Sequence, residues 1–553
     1  MKHTKRTTAV LDLETDPFGL HKEVPKAFAA GFHDGSQTIM HWGPDCISQM
    51  VESLKAIPTP LLIYAHNGGF FDFHYFLKYL LMNKFMKIIN CRIVEARFEH
   101  HLFRDSYAIL PFALKAYDKD EIDYDKFLPE RREKHKDEIL RYLTKDLTAL
   151  YALVTRFHQE FGDKLTIGAT AMSELSRFHP ITITNKNYDD AFRPKFFFGG
   201  RTQCFASGVI KGDIRILDVN SMYPYVMGAS KHPIGTGHSE SHRENQTMDF
   251  IEVEGKNYGA FPKRLEDNSL DFTVEEGIFS VTGHEYWAAL ETRSFKPTRV
   301  IRTIQWRDRG SFDRFVEHFY DRRQIAKRDQ DRVMELFCKF ILNSAYGKFA
   351  QNPKNFKEYF ITRRDQLPPR FHWCTKNCPP PQDCPKLWCP TYETLEWTIW
   401  DKPVSFGRYY NIATGASITG AARAHLLRGL YRTAEPLYCD TDSIICRGGV
   451  RVPISQTELG AWKVEASGAS VAIAGKKLYA LFDKRNQCLK KAHKGALLTP
   501  QEIRAIAKGD EAETANPVPK FGLDGSVKFT HRRIRKTAVD VKPFPSRTRT
   551  FSV

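Results

Sequence analysis

No stretch of this chain is apolar for long enough to span a bilayer. Its first residues, Met1-Lys2-His3-Thr4-Lys5-Arg6, lead into a strand-like run and lack the apolar core of a secretion signal. Acidic residues are outnumbered: 65 Asp and Glu face 82 Lys and Arg, a formal charge of +17. Cysteine is sparse, eleven in 553 residues, and odd in number. These shortages argue against a membrane-spanning protein and a disulfide-stapled secreted scaffold, and they predict reduced thiols in a cytosol-like compartment. What is present is 42% hydrophobic and 13% aromatic residues, which predicts folded structure. The length exceeds a single core, so two to four domains are expected. Positive charge spread along the whole chain suits a surface that tracks a polyanion; the plainer alternative is a basic soluble protein.

The most informative stretch is Tyr438-Cys439-Asp440-Thr441-Asp442-Ser443, with apolar runs on both sides. A hairpin with Asp440 and Asp442 at its tip presents both acids together. Like charges so close raise each other's pKa unless a cation neutralises them, and oxygen donors favour magnesium. By itself the pattern is also that of an ordinary surface turn. Upstream, Asp213-Ile214-Arg215-Ile216-Leu217-Asp218 reads as a strand ending in an acid, followed by Val219-Asn220-Ser221-Met222-Tyr223-Pro224, a turn into a helix. Such a join can hold a metal and a triphosphate, or be a strand cap and a proline turn. In Lys339-Phe340-Ile341-Leu342-Asn343-Ser344-Ala345-Tyr346-Gly347, helical geometry puts Lys339, Asn343 and Tyr346 on one flank. Val333, Leu336, Phe337, Phe340 and Ile341 form the apolar stripe beside it. Gly347 is expected to admit another backbone. Before it, Phe312, Phe315, Val316, Phe319 and Tyr320 give a second helical stripe with Ser311 as N-cap, and Arg322, Arg323 and Lys327 follow.

These segments, in this order, resemble the three polymerase motifs of family B DNA polymerases. The resemblance implies that Asp218 and Asp442, with the Val219 carbonyl, hold two magnesium ions (manganese being the alternative) and that Asp440 lies beside them. Tyr223 resembles the residue that closes the sugar pocket. Lys339, with Arg323 or Lys327, would contact the triphosphate of a dNTP, and Asn343 and Tyr346 would line the nascent pair. Lys477 and Tyr479 in Ala474-Gly475-Lys476-Lys477-Leu478-Tyr479 are similar to the family's Lys-x-Tyr primer motif. Thr419, Ala422 and Arg423 resemble a short primer-template motif.

Near the N-terminus, Thr8-Ala9-Val10-Leu11-Asp12-Leu13-Glu14 reads as a strand with Asp12 and Glu14 on one face. Ile63-Tyr64-Ala65-His66-Asn67 leads to Phe71 and Asp72 at a helix start, and Tyr142 and Asp146 share a helix face at i, i+4. In family order these resemble the three exonuclease motifs of proofreading polymerases. By that resemblance Asp12, Glu14, Asp72 and Asp146 bind two metals, Tyr142 orients the attacking water, and Asn67 and Phe71 hold the frayed primer end. Ser106 sits in a similar single-strand contact motif, and Lys119 resembles an auxiliary phosphate-binding lysine. The segment between Asn67 and Asp72 carries one residue more than the family pattern.

Both activities within 553 residues, with insertions on either side of the Lys339 motif, resemble the protein-primed subgroup of phages, adenoviruses and linear plasmids. The implied partners are DNA template-primer, dNTPs and a terminal protein as primer, the chain being a monomer or a heterodimer with that protein. The implied location is the host cytoplasm. Phe197-Phe198-Gly199-Gly200 stands where the subgroup has Tyr-x-Gly-Gly, its glycines approaching template phosphates. A compact family B polymerase using a nucleic-acid primer is the runner-up, and a non-catalytic DNA-binding replication factor the third reading. Cys374, Cys378, Cys384 and Cys389, with or without His372, either bind zinc or are unligated loop thiols. The basic run 528–536 either crosses a duplex backbone or is a solvated charge run.

The expected fold is α+β and multidomain: a ribonuclease H-like α/β exonuclease domain plus a palm-fingers-thumb polymerase domain. The expected blocks are the exonuclease at 1–175, palm at 176–230, palm continuation and first insertion (contacting the terminal protein) at 231–310, and fingers at 311–350. A second insertion with the Cys cluster follows at 351–402, then the second part of the palm at 403–470 and a thumb at 471–553.

Overall fold

The computed structural model describes residues 6–17, 24–81, 85–89, 91–114, 122–181, 186–351, 356–363, 389–393, 397–401, 408–493, 495–515, 520–522, 527–528 and 531–537. Among them no helix is long and apolar enough to cross a membrane.

The N-terminal part is built on a ten-stranded mixed sheet. Its strand Thr7–Thr15 runs parallel to Leu61–Ala65 and antiparallel to Ala27–His33. Both faces of that strand are covered, which is why Ala9-Val10-Leu11 is an unbroken apolar run. Ala9, Leu11 and Leu13 pack with Met50 and Leu54 of helix Cys46–Ala56. Val10 packs on the opposite face with Leu143 and Leu147 of the long helix Lys136–Phe161. Asp12 and Glu14 therefore face the helix that carries Tyr142 and Asp146.

At its far edge the sheet takes in strands from much later in the chain. Strand Phe356–Arg363 pairs antiparallel with Phe85–Ile89, and Trp397–Asp401 and Cys389–Glu393 add beyond it. The described strands of the expected second insertion thus extend the N-terminal sheet. Cys374, Cys378, Cys384 and His372 lie outside the described residues, as does Lys119.

A second part of the chain centres on a seven-stranded antiparallel sheet. Gly208–Val219 lies between Ser443–Val450 and Trp462–Gly475, and Thr433–Asp440 pairs with both Ser443–Val450 and Thr202–Cys204. Leu478–Phe482 and Cys488–His493 complete it. A separate four-stranded sheet is formed by His238–Ser241, Phe250–Asn257, Glu276–Thr282 and Phe295–Trp306. Helix Ile412–Tyr431, rich in Ala and Gly and buried along most of its length, passes close beneath these layers.

Helices Asp313–Arg328 and Arg332–Phe349 form an antiparallel pair. The apolar stripe from Phe312 to Phe319 is buried as its period requires, but the helix begins at Asp313, with Phe312 rather than Ser311 in the N-cap position. Asp331 caps the second helix by accepting from the Met334 N–H at 3.1 Å, and an Arg156–Asp331 ion pair ties it to helix Lys136–Phe161. In the C-terminal part, helix Pro500–Lys508 starts with a reciprocal capping box between Thr499 and Glu502.

Candidate active sites

Asp218, Asp440 and Asp442 are brought together by backbone pairing. Asp218, one residue from the end of its strand, is in register with Ser443 on one side and Lys463 on the other. The chain reverses at Thr441-Asp442, Asp440 pairing with Ser443, and Thr441 takes a left-handed φ of 56°. Two backbone hydrogen bonds fix this turn: the Thr441 N–H donates to the Arg201 carbonyl at 2.7 Å, and the Val219 N–H to the Asp442 carbonyl at 2.9 Å. A Cβ on Gly200 would lie 2.7 Å from the Thr441 hydroxyl. Gly200 thus lets the Phe197–Gly200 segment lie against the acidic turn, while a Cβ on Gly199 meets nothing within 4 Å. Gly347 likewise faces open space among the described residues, so the expected close backbone approach there is absent.

The three acids have different surroundings. Burial, then Asp218, pushes the Asp442 carboxyl up to about 6, with Asp440 adding to the rise and Lys463 opposing it. Asp218 is paired with Lys463 at 2.9 Å. Asp440 accepts from Thr202 at 2.9 Å, Lys477 at 2.8 Å and the Tyr438 hydroxyl at 3.3 Å. That hydroxyl in turn accepts from the Lys477 N–H at 3.0 Å, and Tyr479 is buried beside the Tyr438 ring. Asp440 thus belongs to the network around Lys477 and Tyr479.

Across from the acids, the rings of Tyr223 and Tyr346 stack at 3.8 Å and 10°. Lys339 and Asn343 are exposed on the same helix as Tyr346, and Lys327 is exposed on the preceding one. Partial burial, then Arg323 and Arg332, holds the Lys339 ammonium below its usual pKa, with Glu335 opposing the shift. Arg323 reaches the Ser221 hydroxyl at 3.5 Å and Glu335 at 3.6 Å.

Arg423 and Thr419 are not surface groups. The Arg423 guanidinium is buried, pairs with Glu285 at 2.7 and 2.9 Å, and donates to the Phe198 and Gly199 carbonyls at 2.5 and 2.8 Å. Thr419 is buried and donates to the Ala416 carbonyl at 3.1 Å. Both residues thus lie inside the fold, and Arg423 braces the Phe198-Gly199 backbone from within.

In the N-terminal part, one ligand atom each from Asp12, Glu14 and Asp146 lies within 4.8 Å of the other two. Asp72 begins helix Asp72–Tyr75 and is buried. That burial, then the nearby Asp12 charge, raises its pKa well above the ordinary carboxyl value. Tyr142 is buried one helical turn from Asp146, its hydroxyl held by Tyr124. Burial first, then Asp146, makes it a far weaker acid than usual. Such dense oxygen donors suit a hard divalent cation. Asn67 adopts a left-handed φ of 63°, and Phe71 packs edge-on against Tyr75 at 5.3 Å. Ser106 is fully buried, hydrogen-bonded with His66 at 3.0 Å and donating to the Ala65 carbonyl at 3.3 Å.

Two features escaped the sequence reading. Phe70 is exposed beneath the Arg92 guanidinium, 4.1 Å from its ring centroid, and an Arg92–Asp105 ion pair anchors that arginine. Lys463 stands on Asp218 through pairing of strands far apart in sequence, and no local signal marks it.

Comparison with known proteins gives the class. The profile of "DNA polymerase type B, organellar and viral" matches residues 115–428. The chain belongs to this family and is a DNA-directed DNA polymerase of family B. Within the family it is of the phage PRD1 type: it is 43% identical to the DNA-directed DNA polymerase of Enterobacteria phage PRD1, over 97% of this chain and 99% of that one. A DNA polymerase of Kluyveromyces lactis is 23% identical over 88% of this chain and 59% of its own length. Among solved structures, an orthorhombic crystal form of Phi29 DNA polymerase matches with a TM-score of 0.70 and 17% identity, covering 96% of this chain and 100% of that one. The Phi29 polymerase complex with primer-template DNA and incoming nucleotide substrates matches at 0.68 and 18%, covering 97% and 100%. The architecture is thus an exonuclease fold joined to palm, fingers and thumb.

Proposed function

We propose that this polymerase works by two-metal nucleotidyl transfer, proofreads in the 3′-5′ direction and starts synthesis from a hydroxyl on a terminal protein. The observation that carries the synthetic reading is the adjacency of Asp218, on its strand, and Asp442, in the turn hydrogen-bonded to Val219, opposite the Tyr223–Tyr346 stack and the cations Lys339 and Arg323. Asp218, Asp442 and the Val219 carbonyl would hold magnesium or manganese, which would supply activation of the attacking hydroxyl and charge neutralisation for the leaving pyrophosphate. Lys339, Arg323 and Lys327 bind the triphosphate. Tyr223, braced by Tyr346, closes the sugar pocket, and Asn343 lines the nascent pair. Lys477 and Tyr479 steady the primer end, with Asp440 anchoring Lys477. The Phe197–Gly200 segment, propped by Arg423, follows the template strand.

For proofreading, Asp12, Glu14, Asp72 and Asp146 would hold a second pair of divalent metals, and Tyr142 would orient the attacking water. Asn67 and Phe71 hold the frayed end, and Lys119 is an auxiliary phosphate-binding lysine. Support comes from the converging donors of Asp12, Glu14 and Asp146. The 231–310 and 351–402 blocks are assigned to the terminal protein and to encircling DNA, and the host cytoplasm to the enzyme's place of work.

Primer extension and single-strand degradation by Asp442→Asn and Asp146→Asn test both activities. Asp442→Asn loses extension and keeps degradation, and Asp146→Asn does the reverse. Extension by Asp442→Asn at the wild-type rate would remove the palm assignment. Transfer of the first nucleotide to a protein hydroxyl with no oligonucleotide present separates protein priming from nucleic-acid priming.

A further inference from the structure

Lys463 is a palm cation outside the motifs to which the functions above are assigned. It lies on the strand next to Asp218, in register with it, and its ammonium is 2.9 Å from the Asp218 carboxylate. Both side chains remain partly open, at 31% and 24% exposure. The contrast with Lys477 is instructive, since Asp440 is held by Thr202 and Tyr438 as well as by its lysine. Among the described residues Lys463 is the ion-pair partner of Asp218, and partly exposed pairs of this kind are weak and readily exchanged. Its charge also reaches the surroundings of Lys339 and of Tyr320 on the helices opposite, which places it toward the expected triphosphate. A lysine suits exchange: its charge sits on a flexible four-carbon stem, whereas an arginine fork would hold one geometry.

We propose that Lys463 is a placeholder cation, neutralising Asp218 while the palm holds neither metal nor nucleotide and passing to the triphosphate when metal takes that carboxylate. This rests on the two-metal reading of the palm. A bare pair of adjacent carboxylates would repel, and Lys463 relieves that repulsion in the empty site. Metal at Asp218 must displace the ammonium, which then needs an anion, and the incoming triphosphate provides one. Metal and nucleotide binding are thereby coupled through a single side chain.

The test is Mn2+ binding followed by electron paramagnetic resonance. The background carries Asp12→Ala and Glu14→Ala, to silence the N-terminal cluster, and the enzyme is loaded with a primer-template whose primer ends in a dideoxynucleotide. Without dNTP, Lys463→Met and Lys463→Gln should bind Mn2+ several-fold more tightly than the unsubstituted background, because a competing unit charge is gone. With the complementary dNTP the advantage should vanish, and the dNTP should bind several-fold more weakly. Lys463→Arg should keep the competition. Melting temperatures check that each variant is folded. Mn2+ affinity that is unchanged or weaker in both neutral variants overturns the placeholder, as does an advantage that persists equally with dNTP. An Asp218→Asn, Asp442→Asn double variant separates the two failures. If it leaves Mn2+ binding intact, the palm-metal reading falls and the placeholder with it. If it abolishes binding while the Lys463 variants behave like the background, the placeholder alone falls.

Discussion

Replacing Arg423 with methionine should destabilise the polymerase part by about 3–5 kcal/mol, the usual cost of breaking a buried pair and stranding one charge. The Arg423 and Glu285 side chains are only 3% and 4% exposed, so little solvent reaches the abandoned carboxylate. Methionine roughly preserves the length and apolar bulk of the arginine stem, so the cavity left behind is small. The Phe198 and Gly199 carbonyls also lose a donor, at about 1 kcal/mol each. The double variant Arg423→Met, Glu285→Gln should recover much of the loss, because no unpaired charge remains. Urea titrations of the four members of the cycle measure the coupling, and DNA binding at several salt concentrations tests the competing idea. A direct phosphate contact would leave stability within about 0.5 kcal/mol of wild type and flatten the salt dependence by about one ion. That pattern would refute the internal brace.

Three further outcomes follow from the same geometry. With metal chelated, Asp442→Asn should raise the melting temperature most at pH 8, about half as much in free energy at pH 5, and little below pH 4. Folding lifts this carboxyl from 3.8 to about 6, so the native state binds the proton more tightly than the unfolded chain. The wild type is penalised above about pH 6, by up to about 3 kcal/mol, and the penalty fades as pH falls toward 4; an equal gain at pH 8 and below pH 4 would contradict this. Gly200→Ala pushes on the Thr441 turn and should lower the extension rate by roughly tenfold or more while single-strand degradation continues, and normal extension would show that the turn has slack. Tyr346→Ala removes the ring that braces Tyr223 and should weaken selection against ribonucleotides, read as the ratio of rNTP to dNTP incorporation; an unchanged ratio would argue against the brace.

Local pattern carried much of the architecture. The apolar run around Asp12, the strand into Asp218 and the stripe from Val333 to Ile341 each declared their element, because burial and backbone period act within a few residues. The helix start at Asp313 was misjudged because Ser311 is a favourable cap by type, whereas burial of Phe312 against the neighbouring helices decides where the first turn begins. Long-range partners left no local trace. Arg423 reads as a surface cation until Glu285 is brought to it by a helix more than a hundred residues away in the chain. Ser106 carries no local mark of its burial beside His66. The joining of Phe356–Arg363 to Phe85–Ile89 is likewise a matter of sheet edges meeting in space.

Crystals of the polymerase with primer-template and dNTP, soaked in Mn2+ and measured at the manganese edge, test the two carboxylate centres most directly. Anomalous peaks are expected between Asp218 and Asp442 and among Asp12, Glu14 and Asp146. Occupied DNA and nucleotide with no peak at either cluster would contradict the account.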